Sequence, residues 1–92
     1  MKKPTALPPI ELVELEFSYD PVTGAILKNG KRYGANDRTS NQIKVRVGGR
    51  TVNAARLAWL LYYRKDPVKR KIEHINGCPW DNRIENLRAV KL

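Results

Sequence analysis

Apolar and polar residues alternate strictly in the segment IKVRV, which spans Ile43–Val47. This period of two predicts a strand with its three aliphatic residues on one face and Lys44 and Arg46 on the other. The Gly48-Gly49 pair that follows predicts a tight turn into a second strand, RTVNA. We therefore expect a sheet with one apolar and one basic face. A solvated outer face would by itself also account for the two cations.

The segment AARLAWLLYYRK has the spacing and the Ala and Leu content of a helix, which we predict over residues 54–65. Asn53 is a suitable N-cap, and Asp66-Pro67 should end the helix. The apolar face of this helix should cover the apolar face of the sheet. The predicted core comprises Leu57, Leu60, Leu61, Val45, Val47, Ile26 and Leu27.

Turn residues divide the remaining chain into short elements. Residues 1–11 are Pro-rich and should be extended or frayed, so we expect a single domain over residues 12–92. After the turn DPVTG, the segment AILK reads as a strand, and Asn29-Gly30 as a hairpin turn. The polar residues 34–42 should form a loop. The predicted fold class is α+β, with an antiparallel sheet of about three short strands packed on one central helix.

The charge balance indicates a polyanionic partner. The 92 residues include 18 Lys and Arg against nine Asp and Glu, a formal net charge of +9. Such an excess favours nucleic acid, although a ribosome-surface or merely soluble basic protein remains an alternative. Cys78 is the single cysteine, so no internal disulfide and no cysteine-based zinc site is expected. With no apolar run near the length of a membrane span, we expect a cytoplasmic protein.

The closing stretch KIEHINGCPWDNRIENLRAVKL carries the candidate chemistry. It contains the only histidine, His74, directly after the carboxylate of Glu73. Hydrolysis of a phosphodiester needs a base that activates water and a cation that stabilises charge on the phosphate oxygens. His74 is a candidate base at neutral pH, and Glu73 a candidate oxygen ligand for Mg²⁺ or Mn²⁺. On its own, the dipeptide is a weak signal, because a lone histidine is more often structural than catalytic.

Three motifs in order resemble the phage-type HNH endonucleases, whose members are built on a ββα-metal element. IEHINGCPWDNRIENLR resembles their DHING…DNR…NLR signature, YDPVTGAIL resembles their YDP-TG-L opening, and ARLAWLLYY resembles their HRLAW helix. The likeness extends from about Leu15 to the end of the chain. It implies a ββα-metal element after the central helix, one divalent ion (Mg²⁺ or Mn²⁺, not zinc), and DNA, most simply duplex DNA, as partner.

The resemblance also implies roles for individual residues. It makes His74 the general base, Asn86 a clamp on the histidine loop, and Glu73 the metal ligand. It also implies phosphate contact for Arg83 and Arg88, for which ion pairs with Asp81 or Glu85 are the alternative. The full set of expected nucleic-acid contacts is Arg83, Arg88, Asn82, Arg56, Lys69, Arg70, Lys71, Lys44 and Arg46.

Three departures from the family pattern bear on cleavage. Glu73 stands where the family usually has Asp, Ala55 stands where the HRLAW helix has His, and the chain stops at Leu92, before the usual second metal ligand. We therefore expect a degenerate ββα-metal element and a nucleic-acid-binding protein in which metal-dependent cleavage is weak or absent. The alternative is a non-catalytic phage protein that uses the fold to bind and inhibit a host protein acting on nucleic acid. An exposed Trp80 would suit the binding of a host protein. We expect instead that Trp80 is partly buried and anchors its loop.

Overall fold

A computed structural model describes residues 7–37, 41–68 and 70–91 and has an α+β architecture of short antiparallel strands around one main helix. Expectations for residues 1–6, and for Lys69 and Leu92, therefore lie outside the described residues. The elements in chain order are α1 (Ile10–Val13), β1 (Phe17–Tyr19), β2 (Ile26–Lys28), β3 (Lys31–Arg32), β4 (Ala35–Asp37), β5 (Gln42–Val47), β6 (Arg50–Asn53), α2 (Ala54–Tyr63), β7 (Arg70–His74), a 3₁₀ turn (Ile84–Asn86) and β8 (Leu87–Lys91).

The described strands form three antiparallel sheets, in the orders β1-β2-β3, β4-β5-β6 and β7-β8. The prediction of one sheet with about three strands was therefore too simple. The interpretation of residues 34–42 as a loop was also wrong at both ends, because Ala35–Asp37 forms β4 and β5 begins at Gln42. The polar segment pairs along the edge of β5, with Ala35 opposite Lys44. This pairing depends on backbone groups and left no apolar pattern to detect.

Both predicted hairpin turns are present. Asn29 and Gly30, between β2 and β3, have φ values of 53° and 81°. Gly48 and Gly49, between β5 and β6, have φ values of 56° and 81°. Two successive residues with positive φ give the primed turn whose twist matches that of the flanking strands, which explains the Asn and Gly at these positions.

Helix α2 begins as predicted and ends two residues early. The side-chain oxygen of Asn53 accepts hydrogen bonds from the backbone N–H groups of Ala55 (2.8 Å) and Arg56 (3.4 Å), which confirms the N-cap. The helix stops at Tyr63 because Arg64 adopts a left-handed conformation with φ of 57°. The short helix α1 begins at Ile10, inside the stretch that was predicted to be extended.

The core lies between α2 and the sheets. Leu57 and Val45 are fully buried, and Leu60, Val47 and Ile26 are nearly so, which confirms five of the seven predicted core residues. The remaining two, Leu61 and Leu27, are half-buried. Val13, Phe17, Val52 and Leu87 complete this core together with the alanines of α2. No helix in the described part of the chain is long and apolar enough to cross a membrane.

The closing stretch folds as a β-hairpin with a long connection. Strands β7 and β8 pair with Glu73 opposite Arg88 and His74 opposite Leu87. Residues 75–86 form the loop that connects them, which we call the histidine loop. Leu87–Lys91 is a strand, so the described residues after Asn86 do not form the helix that completes a ββα element. Adjacent residues of a strand point to opposite faces, so the hairpin turns Leu87 inward and Arg88 outward.

Candidate functional site

His74 lies at the end of β7 with one ring nitrogen already engaged. Its Nε2 is 2.7 Å from the side-chain oxygen of Asn82, whose residue is only 3% exposed. Because an amide oxygen can only accept a hydrogen bond, this contact is a hydrogen bond in the tautomer that carries the proton on Nε2. The lone pair of the neutral ring is then on Nδ1, which is the nitrogen that could take a proton from water.

The backbone around Asn82 rests on the distant turn Asp20–Gly24. The hydroxyl of Tyr19 donates a hydrogen bond to the backbone carbonyl of Asn82, and the backbone N–H of Ile84 donates to the carbonyl of Pro21 at 3.1 Å. Burial raises the pKa of Tyr19 above its usual value, so its hydroxyl keeps its proton at neutral pH. The YDPVTG motif therefore supports the loop that carries the partner of His74.

Gly24 is the point of closest approach between this turn and the loop. A Cβ at this position would lie 2.5 Å from the backbone nitrogen of Arg83 and 2.6 Å from the carbonyl carbon of Asn82. Gly24 also has a φ of 81°, which side chains rarely adopt. Only glycine fits without displacing one of the two segments.

Asn86 holds the two ends of the histidine loop together. It is 4% exposed, and its side-chain nitrogen donates to the side-chain oxygen of Asn76 and to the backbone carbonyl of Asp81, both at 2.9 Å. Its side-chain oxygen accepts from the backbone N–H of Asn76 at 2.9 Å. The backbone carbonyl of Asn86 also accepts from the N–H of Ile75 at 2.8 Å. These contacts make Asn86 a structural element of the loop.

His74 and Glu73 both line a surface depression of about 410 Å³ together with Lys71 and Arg88. Nε of Arg88 lies 3.0 Å from a carboxylate oxygen of Glu73, and the two side chains are 61% and 34% exposed. An ion pair this exposed contributes about 0–1 kcal/mol, so it can open at little cost. The residues that line this depression thus include a candidate base, a carboxylate and two cations.

The described residues offer few ligands for the divalent ion that the resemblance implies. In the described part of the chain, no three or more His, Cys, Asp or Glu side chains come together as a metal cluster. Mg²⁺ and Mn²⁺ are compatible with a single carboxylate when substrate phosphate and water complete the shell. Glu73 is the carboxylate available for that purpose.

Arg83 forms ion pairs with Asp81 and Glu85, which was the alternative to phosphate contact. Its Nε and Nη2 donate to the two oxygens of Asp81, both at 2.9 Å, and its Nη1 lies 2.6 Å from Glu85. The two-pronged contact lowers the pKa of Asp81 to about 2, with Asn76 donating a further hydrogen bond. Arg83 therefore braces the loop rather than presenting a free guanidinium.

Acid should weaken this brace in a defined window of pH. The carboxyl of Asp81 has a lower pKa in the folded protein than the value of about 3.9 expected when unfolded. Its contribution to the free energy of unfolding is therefore complete above about pH 4 and is lost as the pH falls towards about 2. We expect Asp81→Asn to remove this part of the acid dependence in urea unfolding between about pH 7 and pH 2.

The matched control for that measurement is Glu85→Gln, which removes the other carboxylate that contacts Arg83. The side chain of Glu85 is mostly exposed, so water already screens its interaction. Glu85→Gln should keep the acid dependence of the wild type. Equal flattening by both substitutions would contradict the assignment to Asp81.

The remaining predicted contacts fall into two groups. Arg56 is committed to the fold, since its guanidinium donates to the backbone carbonyls of Arg70 (2.8 Å) and Pro67 (3.0 Å), and Asn82 is buried against His74. The cationic side chains that face outward are those of Arg46, Arg70 and Lys71, with Lys44 half-buried and 3.3 Å from the side-chain oxygen of Gln42. Lys69 lies outside the described residues.

Residues 52–91 match the sequence model of a family described as HNH endonuclease. This segment belongs to the HNH endonuclease family. No curated protein and no solved structure matches the chain. The HNH segment contains α2 and the whole β7–β8 hairpin, and with them His74, Glu73 and Asn86. The family implies nucleic acid as the class of substrate.

The supporting turn Asp20–Gly24 lies outside the HNH segment, although it contacts the loop that holds His74. Sequence reasoning identified YDPVTG as a turn and as a family-like motif but did not connect it to Asn82. Asn82 itself was expected at the nucleic-acid surface. The sequence feature that could have indicated the burial of Asn82 is Gly24, because glycine is often found where two backbone segments approach closely.

Proposed function

We propose that this protein binds duplex DNA and hydrolyses a phosphodiester bond at His74. The observation that carries this proposal is the depression shared by His74, Glu73, Lys71 and Arg88. A nuclease site needs a base, a ligand for a divalent ion and cations that contact the phosphate. In the depression, His74 would be the base, Glu73 the ligand, and Lys71 and Arg88 the cations. The HNH assignment supports the same class of chemistry.

The hydrolysis would use Nδ1 of His74 as the base. Nδ1 takes a proton from a water molecule while the water oxygen forms a new bond to phosphorus. The bond between phosphorus and the leaving oxygen then breaks, and the leaving oxygen acquires a proton from solvent. Nε2 stays hydrogen-bonded to Asn82 throughout, so the imidazolium that forms keeps a polar partner.

Glu73 would hold Mg²⁺ or Mn²⁺ when DNA is present. The bound ion supplies positive charge next to the phosphate oxygens as negative charge develops there. Arg88 has to leave Glu73 for this, and the exposure of their ion pair makes the exchange inexpensive. Released from Glu73, the guanidinium of Arg88 is free to pair with a phosphate, for which its fork of donors is well shaped.

The outward cations supply the binding energy that does not depend on sequence. The outward-facing cations are Arg46 on β5 and Arg70 and Lys71 on β7. The whole chain has a formal net charge of +9. Each phosphate that such cations neutralise releases counterions, so the affinity for DNA should fall steeply with salt. This dependence is a signature that binding to an uncharged protein surface would lack.

A supercoiled-plasmid assay with the wild-type chain tests the proposal. With Mg²⁺ or Mn²⁺ we expect conversion to the nicked form, and with EDTA we expect none. A gel-shift titration in the presence of EDTA should show DNA binding that weakens at least tenfold between low and moderate salt. A preparation from cells that carry the empty vector controls for contaminating nucleases.

The outcomes separate the proposed function from its alternative. Retardation of DNA without nicking in either metal would reject hydrolysis and leave DNA binding. Neither nicking nor retardation would reject both and favour the inhibitor of a host protein. Two observations favour that alternative over others: Trp80 and Ile75, on the histidine loop, are 53% and 57% exposed. Trp80 is thus more open than the partly buried anchor expected from sequence.

A further inference from the structure

We infer that Asn82 is a positioning residue that fixes the neutral ring of His74 with its proton on Nε2 and its lone pair on Nδ1, and that Tyr19 and the adjoining turn Asp20–Gly24 support Asn82 in this task. The inference rests on the proposed role of His74 as base. It adds residues outside the HNH segment to the working site and states which ring nitrogen takes the proton.

The first step is the contact between the two side chains. The distance of 2.7 Å from Nε2 of His74 to the side-chain oxygen of Asn82 is that of a good hydrogen bond. Asn82 is nearly completely buried, so water cannot readily replace it as the partner of Nε2. A ring with its proton on Nδ1 would set two lone pairs against each other at this distance. The geometry therefore selects one tautomer.

The second step is the fixation of Asn82 itself. Its backbone carbonyl accepts from the Tyr19 hydroxyl, and the next segment of chain is tied to the turn by the bond from Ile84 N–H to the Pro21 carbonyl. Gly24 lies directly against the peptide bond between Asn82 and Arg83. The backbone of Asn82 is thus held on several sides by residues about sixty positions away in sequence.

The third step is the limited freedom of His74. Its backbone is paired with Leu87 in the hairpin, and its carbonyl accepts from the N–H of Gly77 at 3.0 Å. With the backbone held, the remaining freedom of the residue is rotation of its side chain. The structure shows a hydrogen bond between the ring and Asn82. Without it, the ring of His74 should rotate more freely and populate both tautomers.

The tautomer can be measured directly by NMR of ¹⁵N-labelled protein from which any affinity tag has been removed. His74 is the only histidine, so every imidazole signal belongs to it. Protonated and unprotonated ring nitrogens resonate far apart, and long-range proton correlations tell Nδ1 from Nε2. At alkaline pH, where the ring is neutral, we expect the wild type to show a single tautomer with the proton on Nε2. A proton on Nδ1 would overturn the inference without any variant.

Three variants test the parts of the arrangement. Asn82→Ala removes the acceptor and should give ring signals averaged between the two tautomers. Asn82→Asp keeps an oxygen in the same place and should restore the wild-type pattern. Tyr19→Phe removes the hydroxyl that donates to the Asn82 carbonyl while keeping the aromatic ring, and should shift the average in the same direction by a smaller amount. The amide spectrum of each variant reports whether it is folded.

Folded Asn82→Ala protein with an unchanged tautomer would refute the role of Asn82. If Asn82→Ala does not fold, Tyr19→Phe and Asn82→Asp decide the matter. A tautomer unchanged in Tyr19→Phe would refute the supporting role of Tyr19, and loss of the Nε2 proton in Asn82→Asp would refute the role of Asn82.

Activity gives a second measurement that depends on the proposed function. In the plasmid assay, Asn82→Ala should lower kcat by about 10-fold to 100-fold with KM nearly unchanged, and Asn82→Asp should recover part of the loss. A wild type that does not cleave would reject the proposed function while the NMR result on the tautomer still stands. A wild type that cleaves, together with Asn82→Ala that cleaves equally well, would reject the positioning role alone.

Discussion

Gly24→Ala should be among the most destabilising single substitutions in this chain, with a loss of about 2–6 kcal/mol in the free energy of unfolding. Two costs add at this position. A left-handed conformation costs a residue with a side chain about 1–3 kcal/mol. Overpacking costs about 1–3 kcal/mol more, because the new Cβ meets backbone atoms of Asn82 and Arg83 that cannot rotate away. Urea unfolding followed by circular dichroism measures the loss.

Gly30→Ala is the matched control for this prediction. Gly30 has the same φ of 81°, but a Cβ built on it has nothing within 4 Å. It should therefore lose only the conformational part, about 1–3 kcal/mol. The difference between the two variants isolates the contact between the turn and the histidine loop. Equal losses in Gly24→Ala and Gly30→Ala would show that the two segments are not packed as the structure has them.

The elements that sequence predicted well are those with local causes. Asn53 caps α2 through hydrogen bonds to residues two and three positions ahead, and the Asn29-Gly30 turn follows from the φ values that those two residues tolerate. The core positions of α2 follow from helical spacing alone. None of these features depends on a residue far away in the chain, so a short window of sequence was sufficient to find them.

The elements that sequence missed have distant causes. Strand β4 has no apolar pattern of its own and exists because its backbone pairs with β5. Asn82 was expected among the nucleic-acid contacts, and it lies in the polar run DNR. Its burial depends on Tyr19 and Gly24, some sixty residues earlier. Composition within a window reports polarity, but it does not report which distant segment covers a polar residue.

The candidate site shows the same division. His74 and Glu73 could be singled out because they are adjacent and chemically distinctive, and the hairpin register then brings Arg88 to Glu73. The partners of the arginines could not be ranked from sequence, since Asp81 and Glu85 flank Arg83 on either side and both contact it. Geometry separates Arg83, which braces the loop, from Arg88, whose exposed pair can open.

His74→Ala should abolish most of the nicking activity while leaving DNA binding intact. Loss of a general base typically costs about 10²-fold to 10⁴-fold in rate, which corresponds to about 3–5 kcal/mol of transition-state stabilisation. Affinity should change less than threefold, because binding at moderate salt comes from the cations on β5 and β7 rather than from a neutral imidazole. Plasmid nicking with Mn²⁺ and a gel shift in EDTA measure the two quantities on the same preparations.

Ile75→Ala is the control for that experiment, since Ile75 follows His74 in the same loop and its side chain is mostly exposed. It should nick at the rate of the wild type, and so exclude a general disturbance of the loop. Added imidazole should partly restore nicking in His74→Ala, because the substitution opens space beside a depression that is accessible to solvent. Imidazole supplies the same ring, with both an N–H and a lone pair, so such rescue would show that the imidazole ring is the group that the substitution removes. Nicking in His74→Ala at the rate of the wild type would place the base elsewhere and overturn the proposed mechanism.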